Sequence, residues 1–112
     1  MQLEDYQKLA LSTAVYPKGL LGLLYTTLGL AGEAGEVADK VKKIIRDSED
    51  PHAELSEEKR MEIAREVGDV LWYVATLSNE LGFNLNHIAT MNVNKLMSRK
   101  KRNMIQGSGD NR

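Results

Sequence analysis

Apolar residues recur three and four positions apart along nearly the whole chain, and β-branched residues nowhere gather into alternating runs. That periodicity belongs to helices and excludes a sheet of any size, so the reading is all-α. The first helix is expected over Leu3 to Tyr16, stopped by Pro17 and Gly19, because proline disfavours helical geometry in the residue before it. A second runs from Leu20 to Arg46, with Leu23, Leu30, Val37, Val41 and Ile44 on its apolar stripe, and "DSEDPHAEL" reads as the loop that follows. Ser56 is placed to cap a third helix, with Glu57 and Glu58 in its first turn and Gly82 near its end. Asn84 is placed to cap a fourth over Leu85 to Arg102, after which "NMIQGSGDNR" loses periodicity and is expected to be irregular. The chain thus reads as one domain, residues 1–112, with 103–112 as a tail.

The second helix carries an anomaly, "LGLAGEAGEV" at residues 28–37. Each glycine inside a helix costs roughly 1 kcal/mol relative to alanine, so Gly29, Gly32 and Gly35 need a compensating gain. The same stretch sets Glu33 and Glu36 three apart on one face, with Asp39 and Lys40 a turn further on. The third helix repeats the device in "EVGDVLWYV", where Glu66 and Asp69 open an almost wholly apolar run and Glu62 lies one turn before. Ionised carboxylates resist burial unless paired or bound to metal. If the two helices pack antiparallel, the four converge, and their repulsion calls for a hard divalent cation, Mg²⁺ with Mn²⁺ as an alternative, in an oxygen-ligand site of the kind that also takes substrate phosphates. The three glycines and Gly68 are then expected to strip side chains from the contact so that the backbones approach.

Charge and composition exclude several other classes. The absence of cysteine removes disulfides, thiolate metal sites and a cysteine nucleophile. No signal-peptide core is recognisable at the start, and the most apolar run, Leu20 to Ala31, is too short to span a bilayer, so a cytoplasmic location is expected, the host cytoplasm if the chain is phage-encoded. Net charge is -1, yet Lys95, Arg99, Lys100, Lys101 and Arg102 make the end basic and the body acidic. A nucleic-acid module is one alternative, disfavoured by a pI of about 6.1. A non-catalytic helical oligomer is another, and would leave the carboxylates idle. No strand or G-K-[ST] accompanies the glycines, which sets a P-loop aside.

The E-x-x-E and E-x-x-D pairs, within "LGLAGEAGEVADKVKK" and "EVGDVLWYVATL", strongly resemble those of the MazG-like all-α nucleoside triphosphate pyrophosphohydrolases, over most of the chain from Tyr6 to "GSGDNR". The resemblance implies a four-helix bundle completed by oligomerisation, as a dimer or a tetramer of two dimers. It implies Mg²⁺ ligation by Glu33, Glu36, Glu66 and Asp69, and hydrolysis of a nucleoside triphosphate, with a dNTP favoured, to monophosphate and pyrophosphate. Glu33 and Glu36 are the two candidates for the base that accepts the water's proton. In "NVNKLMSR", Asn92, Lys95 and Arg99 form one stripe that resembles the family's phosphate-contacting helix. Gln7, Thr13, Tyr16 and Trp72 are candidates for a base pocket. Neither a membrane nor a nucleic acid is expected as a partner. The stretch between Glu36 and Glu66 is long for the family, which means either a roomier loop near the site or a longer helix end.

Overall fold

The computed structural model describes residues 1–50 and 52–112, and four helices run through them in chain order: α1 Leu3–Leu11, α2 Leu20–Asp47, α3 Glu57–Glu80 and α4 Leu85–Lys101. Three of the four match the spacing closely, because their ends are set by neighbouring residues. Ser56 accepts at its hydroxyl from the Lys59 amide at 3.2 Å, and Asn84 accepts at its side-chain oxygen from the Asn86 amide at 2.7 Å. The end of α3 is a Schellman motif: the Phe83 amide donates to Ser78 O and the Gly82 amide to Asn79 O, both at 2.9 Å, with Gly82 at φ +81°.

The first helix stops at Leu11, well short of the Tyr16 that its pattern predicts. Ser12 and Thr13 donate their hydroxyls back to Leu9 O at 2.5 Å and Ala10 O at 2.7 Å, and the Thr13 and Ala14 amides bond three residues back. These local bonds compete with helix continuation, and the chain then turns through Pro17 and Gly19 into α2.

Long α2 lies along α3, whereas α1 packs across α3 and α4. Among the described residues the backbones of α2 and α4 stay apart. The apolar core is small, built from Ala10, Ala75 and Leu85 with Tyr6, Trp72, Val74 and Ile88 around it. A buried amide holds it together: Gln7 Nε2 donates to Ala75 O and Phe83 O at 3.1 Å each, while its Oε1 accepts from the Leu85 amide at 3.0 Å. Gln7 is therefore a strut joining three helices, and its side chain is fully engaged by these bonds.

The glycine expectation holds at one of its four positions. A Cβ on Gly29 would stand far too close to Tyr73 Cε1, so here α2 and α3 do approach through a missing side chain. Gly32, Gly35 and Gly68 face open space in the protomer and let nothing closer. Gly22, which the spacing does not single out, is the second tight position, with Pro17 O 2.7 Å and Glu80 Oε2 2.9 Å from where its Cβ would stand.

The protomer is open. Its radius of gyration is 17.2 Å, against about 13 Å for a compact domain of this length. Its accessible surface is 8331 Å², against about 6,200 Å² for a monomer of this mass. Much of the surplus is apolar: Leu20, Leu21 and Leu28 at the start of α2 are each more than 60% exposed. No described helix is long and apolar enough to cross a membrane.

Candidate metal centre

The i, i+3 spacing on each helix puts Glu33 on the face of α2 that meets α3, and Glu66 and Asp69 on the answering face of α3. One carboxylate oxygen from each of the three lies within 4.8 Å of the others. Glu36 is not part of this cluster: it is exposed on the next turn of α2, near enough for its charge to act on Glu33. The structure thus brings together three of the four expected ligands and leaves the fourth at the rim.

Like charges this close oppose one another. The Glu33 carboxyl is pushed above its ordinary range, first by burial, then by Asp69, Glu66 and Glu36. Among the described residues one cation is paired with the cluster, Lys40, whose Nζ is 3.7 Å from Glu66 Oε1. Asp39 is turned away, held below the usual carboxylate range by Lys43 and Lys42 at 2.6 and 3.2 Å. Three carboxylates with a single, long-range ammonium partner are an under-neutralised set, and their oxygens are near enough that modest side-chain rotation would bring them to one hard divalent cation.

Two tyrosines border the cluster, and spacing alone did not assign them there. Tyr6 of α1 is raised by burial and by Asp69; Tyr73 of α3 is raised by burial, by Tyr25, and by Glu33 and Asp69. The Glu33 side of the cluster and the Gly29 contact therefore share the Tyr73 ring. Tyr73 also packs edge-on against Trp72, with centroids 4.9 Å apart, and Tyr25 and Tyr16 extend the aromatic row.

The same row holds the other residues expected in a base pocket. Trp72 Nε1 donates to Thr13 Oγ1 at 2.9 Å, and Tyr16 is buried at 6% exposure against Tyr25 and Trp72. Thr13, Tyr16 and Trp72 thus tie the α1–α2 turn to α3. A cavity of about 600 Å³ lies where the second half of α2, the following loop and the start of α3 meet, lined by Val41, Ile44, Leu55 and Ile63 with Lys40 at the side of the carboxylates. Most of the stretch between Glu36 and Glu66 is helix, the end of α2 to Asp47 and the start of α3 from Glu57, so a longer helix end accounts for much of its length.

Lys95 and Arg99 share a stripe of α4 with exposed Asn92, as their spacing predicts, but neither is free. Lys95 Nζ lies 3.2 Å and Arg99 Nη2 3.3 Å from the carboxylate of Asp110. The tail is folded back on α4, where irregular chain is expected. Among the described residues α2 and α4 make no close backbone approach, so the stripe is not carried on a helix packed against that of Glu33.

The model of the MazG nucleotide pyrophosphohydrolase domain matches residues 22–104, a span that holds all four acidic positions together with Lys95 and Arg99. The chain belongs to this family. The MazG domain reaches from the start of α2 to the turn after α4, so α1 and most of the folded-back tail lie outside it. The chain is also 49% identical over 117 residues, covering 100% of both sequences, to the Gene 37 protein of Mycobacterium phage L5. No solved structure matches.

Proposed function

We propose that this MazG-family chain is a Mg²⁺-dependent pyrophosphohydrolase that cleaves a nucleoside triphosphate, with a deoxynucleoside triphosphate as the favoured substrate, to the monophosphate and pyrophosphate. The observation that carries the reading is the under-neutralised Glu33, Glu66 and Asp69 cluster within the family's domain. A divalent cation held by these carboxylates would polarise the phosphate oxygens and make an attacking water more acidic. Water adds to the α-phosphorus, the bond to the bridging oxygen of the β-phosphate breaks, and pyrophosphate departs with that oxygen. The water's proton passes to Glu36, exposed at the rim and outside the cluster, or to Glu33, whose raised carboxyl suits a base. Lys95, Arg99 and Asn92 hold the phosphates, with the stripe brought to the carboxylates by a neighbouring copy of the chain.

Assembly as a dimer, or a tetramer of two dimers, is supported by the surplus apolar surface of α2 and by the lack of a close backbone approach between α2 and α4. The likeness to a phage protein supports action in the host cytoplasm. The test is a panel of ribo- and deoxynucleoside triphosphates with Mg²⁺, read for pyrophosphate and for orthophosphate. Pyrophosphate is expected, with the rate collapsing in Glu66→Gln and Asp69→Asn while helicity persists. Orthophosphate and diphosphate as the sole products would refute the reaction, and near-normal rates in both variants would refute the site.

A further inference from the structure

Beyond α4 the chain builds a closed hook. Asn103, in the left-handed region at φ +58°, ends the helix in a second Schellman motif: the Met104 amide donates to Arg99 O at 2.7 Å and the Asn103 amide to Lys100 O at 3.1 Å. The chain reverses, and Gly107 and Gly109 at φ +105° and +85° bend it again, a conformation that favours glycine. Arg112 then fastens the hook to its own start, donating to Met104 O, Ile105 O and Gly109 O at 3.2, 3.0 and 2.6 Å.

What the hook presents to α4 is a set of oxygens. Asp110 places one carboxylate oxygen between Lys95 Nζ and Arg99 Nη2, and Gly109 O and Asp110 O accept from the same Nη2 at 3.3 and 3.0 Å. The two sides of this contact are unequal. Arg99 is 95% buried and its Nε has no hydrogen-bond partner, whereas the Asp110 side chain is 82% exposed. A guanidinium removed from water with one edge unsatisfied is an anion site only partly filled, and an exposed carboxylate is the occupant most easily displaced. The Arg112 side chain fastens the hook to itself, and besides the Lys95 and Arg99 contacts the hook is tied to the end of α4 by Arg102 Nη2, which donates to Arg112 O at 2.9 Å at an exposed position, so the hook can leave Lys95 and Arg99 while its own fastenings hold.

We infer that the hook is a built-in competitor for phosphate: Asp110 occupies Lys95 and Arg99 until a polyphosphate, offering more oxygens and more charge, displaces it. The inference rests on the assignment of these two residues to phosphate under the proposed function, and it adds a restraint on that site. The hook lowers apparent affinity by the fraction of time it is closed.

The test is calorimetric titration of the full chain with inorganic tripolyphosphate in EDTA, where the carboxylate centre contributes no metal-bridged binding. Asp110→Asn is expected to bind about three- to tenfold more tightly than wild type, and Lys95→Ala in that background to abolish the gain. Arg112→Ala, which unfastens the hook while keeping the Asp110 charge, is expected to tighten binding as well, and decides the matter should Asp110→Asn lose helicity. Unchanged or weaker binding in the helical variants overturns the inference. Tighter binding in a chain that hydrolyses no nucleotide keeps the hook and removes the hydrolase reading; normal hydrolysis with no change in binding does the reverse.

Discussion

Replacing Gly29 by alanine tests the contact that brings the two acidic helices together. The added Cβ would stand far too close to Cε1, Cζ and Cδ1 of the Tyr73 ring, so the ring or the helix must move. The ring is held by Trp72 on its edge at 4.9 Å and by Tyr25 at 6.3 Å. Overpacking costs about 1–3 kcal/mol and a disturbed aromatic pair about 0.5–1.5 kcal/mol, against about 1 kcal/mol gained in helix propensity. The net is a loss of about 1–3 kcal/mol. Gly32→Ala and Gly35→Ala meet nothing within 4 Å and are expected to gain up to about 1 kcal/mol each. Thermal unfolding followed by far-ultraviolet circular dichroism and by the fluorescence of Trp72 reads both, at about 4 °C per kcal/mol for a chain of this size. A Gly29→Ala protein as stable as wild type would refute the close packing of α2 on Tyr73. A loss above about 1 kcal/mol in Gly32→Ala or Gly35→Ala would refute the open surroundings assigned to those positions.

Two further outcomes follow from the charges. Glu33→Gln removes one of three crowded carboxylates, so the unfolding midpoint in EDTA should rise by about 2–4 °C while the rise produced by Mg²⁺ shrinks; a fall in EDTA would mean that the cluster is not under-neutralised. The Tyr16 hydroxyl is buried, and burial together with the Glu80 carboxylate pushes it up to about 12. Its folded value lies above the unfolded value of about 10, so its share of stability is intact below pH 10 and is lost as pH rises towards 12, at most about 1.4 kcal/mol per pH unit. Tyr16→Phe should flatten the alkaline limb of a pH series of urea melts, and an unchanged limb would refute the assignment.

The features legible in the sequence are those settled within a few residues of one another. Helical periodicity defined α2, α3 and α4, and Ser56 and Asn84 marked two starts because a cap bonds only two or three residues ahead. The i, i+3 spacing put each acidic pair on one face, and the E-x-x-E and E-x-x-D pairs were enough for the family. What crosses from element to element depended on how the helices rotate and slide against each other. Rotation about the α2–α3 contact selected Glu33, Glu66 and Asp69 and left Glu36 at the rim, and it pressed Gly29 on Tyr73 while Gly32 and Gly35 faced outward. Gln7 reads as a polar residue on a short helix, and only packing delivered two carbonyls and an amide to its side chain. Asp110 lies eleven and fifteen residues beyond Arg99 and Lys95, and three left-handed backbone positions bring it back to them. Periodicity cannot register such a reversal, because its cause is the sum of several turns and not the repeat of one.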